Sequence, residues 1–326
     1  MLARGSACAA SQLCPRCLLP KPAARWPPPL RAVPSSSSAP LASPAPPTVD
    51  GETFTVVTPS GASVHIQQHK RGGAYRFGLD ALLLATDVAV QAHSPEHGPC
   101  IVDLGAGCGI AGLCVALRHG GSRLLSVEVQ ATLGALAEVN VRAAQLAVDI
   151  PPGRWRVAHA DVRDTALWLT PEVAGKADFV VCNPPFFAAH AAHAAARTER
   201  QAARQELHGC LADFLAAAAA CVHPAGMAKF IVPPARLPEL LSNAAGLHAH
   251  SLRFIHPSPQ ADAYLVEVAL RRLQSGGGGL LVRPPLCVRD EDGVYTPEVA
   301  LRLATAAGAA ASHDEIERIR RTCVRA

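Results

Sequence analysis

The sequence predicts an α/β fold: a mostly parallel sheet of seven strands, covered by helices and ending in an antiparallel hairpin. The chain has 326 residues, of which 49% are hydrophobic and 17% charged, enough to build a sizeable core. Apolar segments of strand length alternate with segments of helical spacing, which is typical of a parallel sheet with both faces covered. Only Pro257 to Asp262 separate the last two strands. That connection is too short for a helical crossover, so these strands must pair antiparallel.

The individual elements follow from local patterns. The seven strands are predicted at Cys100–Leu104, Leu124–Glu128, Trp155–His159, Asp178–Asn183, Ala228–Val232, Leu252–His256 and Ala263–Leu270. Helical spacing is found at Leu79–Ala92, Ile110–Arg118, Thr132–Ala147 and Leu211–Val222. Alternation at Phe54–Val57 and Ser63–Gln67 predicts a small hairpin.

These elements predict four parts of the chain. Residues 1–49 form a leader, and residues 50–92 form a hairpin and helix extension. Residues 93–275 form the main domain. The Gly276–Gly279 run then predicts a flexible joint that opens a C-terminal strand and helix extension, residues 276–326.

The leader differs in composition from the rest of the chain. It contains arginine and lysine but no acid, with many prolines and serines, which favours an organelle transit peptide, a chloroplast one before a mitochondrial one. A disordered N-terminal extension without a targeting signal is the alternative. Outside the leader, acids and bases nearly balance, so the net charge of +4 does not indicate a nucleic-acid partner. No apolar run reaches the roughly 18–20 residues of a membrane span, which excludes an integral membrane protein.

The cysteines and histidines do not predict a metal site. Apart from Cys14 and Cys17 in the leader, the eleven cysteines are scattered singly, which favours buried free thiols in a reducing compartment. The 14 histidines show no ligand pairing either. We therefore expect no metal.

A glycine-rich turn follows the first predicted strand of the main domain and opens a helix. Such a turn lets the backbone approach a ligand and presents amide groups at a helix N-terminus. Two fingerprints fit it. Gly107-Cys-Gly109-Ile-Ala-Gly112 matches the dinucleotide pattern, whereas Asp103-Leu-Gly105-Ala-Gly107-Cys-Gly109 matches the pattern of S-adenosylmethionine enzymes. The second is favoured, because the glycines begin directly after the strand and Asp103 can face the amino-acid end of that cofactor.

Two acids follow the next two strands. Glu128 ends its strand, where a carboxylate can accept hydrogen bonds from both ribose hydroxyls, and Asp161 can accept one from an adenine amino group. Because ligands of open α/β sheets bind at the carboxyl edge of the strands, their joint placement predicts that they bind the adenosine of the cofactor.

The segment Asn183-Pro184-Pro185-Phe186 closes the fourth strand and predicts the chemistry. The two prolines stop the strand, so the turn enters the crevice. A conjugated amino group is a poor nucleophile, and two acceptors on its N–H bonds localise its lone pair. The side-chain oxygen of Asn183 and the carbonyl of Pro184 can serve as those acceptors, while Phe186 stacks on the planar group. This is catalysis by positioning and preorganised dipoles.

These motifs resemble the amino-methylating class I, Rossmann-like, S-adenosylmethionine-dependent methyltransferases. Within them, the chain is most similar to the small-domain family that includes the bacterial valine-tRNA adenine N6-methyltransferases. The segment Tyr75–Ala85 resembles the family segment ahead of the glycine loop, which implies that Arg76 and Asp80 line the cofactor pocket. Arg197–Glu206, Leu281–Leu286 and Gly293–Glu298 resemble further family segments. The resemblance implies methyl transfer from S-adenosylmethionine to an exocyclic amino group, adenine N6 in tRNA above all.

Phe186 departs from the usual adenine enzymes, which carry tyrosine there, and is common in ribosomal RNA guanine N2-methyltransferases. That enzyme class is one alternative. A protein glutamine methyltransferase is another, since the nitrogen of a side-chain amide is also conjugated and is therefore an equally poor nucleophile. An inactive binding protein and an NAD oxidoreductase are the remaining alternatives.

An arginine face supports an RNA partner. Arg197, Arg200 and Arg204 are spaced i, i+3 and i+7, so they would share one face if the segment is helical. They come shortly after the Asn-Pro-Pro-Phe turn, where they can contact phosphates beside a flipped base; an ordinary solvated helix face is the alternative. We expect a monomer that binds RNA, with no membrane contact.

Overall fold

The computed structural model describes residues 51–58, 60–69, 77–86, 90, 92–93, 95–185, 209–272, 279–308 and 312–321. The leader and the Gly276–Gly278 part of the predicted joint lie outside these ranges. The boundaries that we predict between the four parts of the chain therefore stay a prediction.

The described residues confirm the predicted sheet. The seven strands are present as β3 to β9, in the spatial order β5-β4-β3-β6-β7-β9-β8. Only β9 is antiparallel, and it pairs with both β7 and β8. The strands are β3 (Cys100–Leu104), β4 (Arg123–Glu128), β5 (Trp155–His159), β6 (Ala177–Cys182), β7 (Val222–Val232), β8 (Leu247–His256) and β9 (Leu265–Arg272).

Helices cover both faces of this sheet. One apolar cluster includes buried residues of α1, α2, α3 and α7, and a second includes those of α4, α5 and α6. Among the helices of the described residues, none combines the length and apolar character needed to cross a membrane. The helices are α1 (Leu79–Leu84), α2 (Ile110–Arg118), α3 (Ala131–Ala147), α4 (Thr165–Trp168), α5 (Leu211–Cys221), α6 (Leu237–Ser242), α7 (Pro297–Ala306) and α8 (His313–Arg321), with short 3-10 helices at Pro95–His97 and Pro234–Arg236.

The predicted N-terminal hairpin is confirmed as β1 (Gly51–Val57) and β2 (Ser63–His69), which pair antiparallel. It is joined to the main domain by hydrogen bonds. Asn140 of α3 accepts from the backbone N–H of Gln67 at 2.8 Å and donates to its carbonyl at 2.9 Å. Phe54 of β1 meets Phe77 edge to face, with ring centroids 5.9 Å apart.

Two local predictions are corrected. The helix predicted over Leu79–Ala92 ends at Leu84, because the hydroxyl of Thr86 donates to the carbonyl of Leu83 at 2.8 Å and competes with continuation of the helix. The buried Lys229 ammonium then binds the carbonyl of Thr86 at 3.0 Å. The second correction concerns the sheet, which has nine strands within the described residues: β10 (Leu281–Val282) and β11 (Leu286–Cys287) both pair parallel with β8.

The cysteines of the described residues are free, as predicted. Five of them are buried, but Cys210 is exposed and Cys287 is intermediate. Burial raises the pKa of the Cys108 and Cys114 thiols to about 12 in both cases. These two thiols therefore pack as small apolar side chains rather than as reactive groups.

The close approach of α2 to β3 makes Gly112 sensitive to substitution. A Cβ atom there would lie 2.8 Å from both Cβ and Oδ2 of Asp103 and 3.0 Å from Leu124. We expect Gly112→Ala to lower the free energy of unfolding by about 1–2 kcal/mol, measured by urea denaturation. Gly120→Ala is the control, because a Cβ atom at that position would have no atom within 4 Å. It should change the stability by less than about 0.5 kcal/mol. Equal stabilities of the two variants would contradict the expectation that a Cβ atom at position 112 is too close to Asp103 and Leu124.

Candidate active site

The glycine loop, residues 105–109, lies between the end of β3 and the start of α2. Gly105, Gly107 and Gly109 have φ values of 69°, 57° and 84°, which a residue with a Cβ adopts only at a cost. The N–H groups of Gly105 and Ala106 both donate to the carbonyl of Val127, at 2.9 and 3.0 Å. The loop is thereby bent over the end of β4.

Two buried carboxylates hold the loop and the first turn of α2. Asp103 Oδ2 accepts a hydrogen bond from the backbone N–H of Gly112 at 2.8 Å. Glu128 Oε2 accepts one from Gly107 N–H at 2.8 Å, and its Oε1 accepts one from Gln130 N–H at 2.8 Å. Both acids are therefore part of the loop's own framework.

The electrostatics of Asp103 follow from its burial. Burial raises its pKa from the ordinary 3.8 to about 7. The hydrogen bond from Gly112 opposes this shift, and the negative charge of Glu128 adds to it. Asp103 consequently exchanges its proton in the physiological range.

The Asn183 turn lies beside the glycine loop because of strand register. Leu104 of β3 pairs with Cys182 of β6, so the residues that follow them, Gly105 and Asn183, leave the sheet at the same edge. Pro184 is buried, and Asn183 and Pro185 are partly buried.

Asp80 sets the orientation of the Asn183 side chain. Asn183 Nδ2 donates to Asp80 Oδ2 at 2.8 Å, across 103 residues of sequence. Because an ionised carboxylate only accepts hydrogen bonds, the amide nitrogen must face Asp80 and the amide oxygen must face away from it. The contact therefore selects one of the two amide orientations.

A small pocket, partly open to solvent, lies between the loop and the turn. Asp103, Gly105 and Asn183 all line it. Phe77 and Ala81 line it too, and they come from the segment ahead of the loop.

The structure brings some of the predicted site residues together and leaves others apart. Asp103 and Gly105 share the pocket with Asn183, Gly107 and Gly109 complete the loop, and Glu128 contacts it. Asp161 is not among the residues lining the pocket; it pairs with Arg163, with Oδ2 and Nη2 2.5 Å apart. Five predicted residues lie outside the described residues: Arg76, Phe186, Arg197, Arg200 and Arg204.

Three residues near the site were missed by sequence reasoning. Asn140 donates to the carbonyl of Cys108 at 2.8 Å, and a buried Asn in a helix interior was the available signal. Arg236 donates to the carbonyl of Pro185 at 2.7 Å, and the sequence carries no signal for it. Tyr264, at the β8–β9 hairpin, has a pKa that is raised by burial and then by the negative charge of Asp80, so it lies within electrostatic range of Asp80.

No group of three or more His, Cys, Asp or Glu side chains in the described part of the chain is arranged to hold a metal ion. The site consists instead of backbone amides, two buried acids and one oriented amide. Such a set can bind a polar ligand closely and present oxygen acceptors to an amino group.

Comparisons with known proteins agree with this arrangement. Residues 76–209 match the family model of the methyltransferase small domain. The chain is 30% identical over 178 residues to the tRNA1(Val) (adenine(37)-N6)-methyltransferase of Porphyromonas gingivalis, covering 53% of this chain and 65% of that relative. It is also 30% identical over 154 residues to the enzyme of the same name from Shewanella sp. (strain W3-18-1), covering 47% and 60% of the two chains. The chain thus spans less than two thirds of the length of these relatives.

Solved structures are also similar to this chain. One of them, a predicted O-methyltransferase from Agrobacterium tumefaciens, is 22% identical, with a TM-score of 0.49, covering 72% of this chain and 99% of that one.

The raised pKa of Asp103 predicts a pH dependence of stability. The native state binds this proton more tightly than the unfolded chain, so the stabilisation is fully present below the unfolded pKa of 3.8 and is lost as the pH rises through about 7. Asp103→Asn keeps an acceptor for Gly112 but cannot ionise. Urea unfolding should therefore show the variant gaining stability relative to wild type as the pH rises from about 4 to about 7, with little further gain above that pH. The exposed Asp292→Asn is the control, and a parallel pH profile for Asp103→Asn would contradict the assignment.

Proposed function

We propose that this chain, whose residues 76–209 match the family model of the methyltransferase small domain, transfers a methyl group from S-adenosylmethionine to an exocyclic amino group of RNA, adenine N6 in tRNA. The observation that carries the proposal is the pocket shared by the glycine loop and Asn183. The names of the two bacterial relatives support the choice of base and RNA.

The residues of the pocket fit this cofactor, which supplies an electrophilic methyl group when bound. Asp103 and the glycine loop would hold its amino-acid end, since the loop backbone and the Asp103 carboxyl border the pocket. Glu128 would hold the ribose: each of its oxygens accepts one backbone N–H, and a carboxylate oxygen has a second lone pair for a hydroxyl. Asp161 would contact the adenine.

The turn would activate the amino group without a strong base. Asn183 Oδ1 and the carbonyl of Pro184 would accept the two N–H bonds of the amino group, so that its lone pair localises on nitrogen. Neither acceptor takes up a proton near neutral pH, and the proton lost from nitrogen passes to solvent. Phe186 would stack on the base, and Arg197, Arg200 and Arg204 would contact phosphates. The rate would come from positioning and fixed dipoles.

The proposal is tested with the full chain, labelled S-adenosylmethionine, and separate tRNA, ribosomal RNA and protein fractions lacking the modification. Digestion and mass spectrometry should identify N6-methyladenosine in the tRNA fraction. Asn183→Ala should lower kcat by about 10²-fold or more, because one of two oriented acceptors is lost. N2-methylguanosine in ribosomal RNA would overturn the choice of adenine and tRNA, and Phe186 favours that outcome among the alternatives. Label only in protein would overturn the RNA substrate, and an absence of transfer would overturn the activity.

The Asp80 contact predicts a graded loss of activity. Asp80→Ala removes the acceptor of Asn183 Nδ2 and should lower kcat by about 10- to 100-fold, since misorientation of a reacting group has costs of this size. Asp80→Asn keeps an oxygen acceptor and should lose less. Steady-state kinetics measure kcat, and calorimetry measures the affinity for S-adenosylhomocysteine, which should stay near the wild-type value. The exposed Glu172→Ala is the control. An unchanged kcat with weakened S-adenosylhomocysteine binding would instead give Asp80 a cofactor-binding role.

A further inference from the structure

Arg236 contacts the Asn183 turn from outside the cofactor pocket. It ends the short 3-10 helix Pro234–Arg236 that follows β7, and its side chain is buried. Arg236 Nη1 donates to the carbonyl oxygen of Pro185 at 2.7 Å, across 51 residues of sequence. The contact is therefore a tertiary one, made between the ends of two neighbouring strands, β6 and β7.

Glu239 fixes the plane of this guanidinium. Arg236 Nε donates to Glu239 Oε2 at 2.9 Å, and Nη2 donates to Oε1 at 2.8 Å. The backbone N–H of Arg236 also donates to the carbonyl of Pro233 at 2.9 Å. A bidentate pair of this kind holds the rigid fork in one orientation, which directs Nη1 at Pro185.

The turn needs such a donor because of its composition. Pro184 and Pro185 lack N–H groups, so they cannot anchor the turn by donating backbone hydrogen bonds. The turn is held instead by hydrogen bonds to its backbone carbonyl groups and by the hydrogen bond of the Asn183 side chain. Asp80 binds the Asn183 amide at one end, and Arg236 binds the Pro185 carbonyl at the other. Between the two contacts lies the Pro184 carbonyl, one of the two proposed acceptors of the amino group.

We infer that Arg236 is a positioning residue for methyl transfer, which fixes the direction of the Pro184 carbonyl by holding Pro185. The inference rests on the proposed function and adds to it a residue that touches neither cofactor nor substrate. Glu239 serves Arg236 in the same way that Asp80 serves Asn183. The amino acceptors are thus set by two separate charged side chains, one from the N-terminal extension and one from the segment after β7.

The test compares Arg236→Met, Arg236→Lys and Glu239→Gln in the full chain. Arg236→Met should lower kcat by about 10²-fold, because a reacting group is misplaced, while the KM for RNA and the affinity for S-adenosylhomocysteine stay unchanged. Arg236→Lys retains a donor but lacks the planar fork, so it should recover part of the loss. Glu239→Gln should lie between Arg236→Met and wild type. A fourth variant, Arg236→Ala, leaves space for a small cation, and added methylguanidinium should raise its kcat because it can supply the missing donor.

Arg253→Met is the matched control. Arg253 is also a buried arginine paired with a glutamate, since Nη1 lies 2.5 Å from Glu298 Oε1, but that glutamate belongs to α7 and the pair joins β8 to α7. The variant should lower Tm as Arg236→Met does and leave kcat near wild type at a temperature where both variants are folded. Equal kcat values for the two variants, or no rescue by methylguanidinium, would overturn the inference while leaving the proposed function intact. A wild-type chain without transfer would overturn both.

Discussion

The hydrogen bonds that two buried carboxylates accept from the glycine loop and from the first turn of α2 are the interactions on which the site depends. Gly107 donates to Glu128, and Gly112 donates to Asp103. The first bond joins the turn after β3 to the end of β4, and the second joins the first turn of α2 to β3. Burying these acids is costly, as the raised pKa of Asp103 shows. A loop held in this way presents a preformed backbone surface, so little of the binding energy of a ligand is spent on ordering it.

The N-terminal extension is part of the site rather than an appended module. Its hairpin is held by Asn140, which also binds the carbonyl of Cys108 in the loop. Its Phe54 packs on Phe77, which lines the pocket, and its helix α1 carries Asp80. The extension therefore lines the pocket through Phe77 and Ala81 and orients the Asn183 amide at the same time. A substitution that destabilises the hairpin would therefore also disturb the pocket and the Asn183 turn through these contacts.

Sequence reasoning reached the elements whose pattern is local. The seven strands of the sheet and the N-terminal hairpin follow from apolar runs and turn residues, and the glycine loop follows from its spacing. The helix that begins at Leu79 was predicted too long, because the apolar periodicity of the sequence continues past Thr86. In the structure the helix ends earlier, and the carbonyl of Thr86 accepts a hydrogen bond from the Lys229 ammonium instead of from a later residue of the helix. The two-residue strands β10 and β11 lie in the predicted C-terminal strand and helix extension, but their pairing with β8 was not predicted, because strands so short carry no period of their own. Phe186 and the arginine face remain predictions.

The sequence by itself determined the type of site: a glycine turn between a strand and a helix, acids after successive strands, and Asn183 with two prolines after the fourth strand. These are properties of residue type and spacing. Tertiary structure alone decided how the groups are oriented. The register of β3 with β6 places Gly105 beside Asn183, Asp80 selects the amide orientation, and Arg236 holds Pro185. These partners lie 51 to 103 residues apart along the chain, so no local pattern encodes the contacts, and only packing of the whole domain brings their charges to one edge of the sheet.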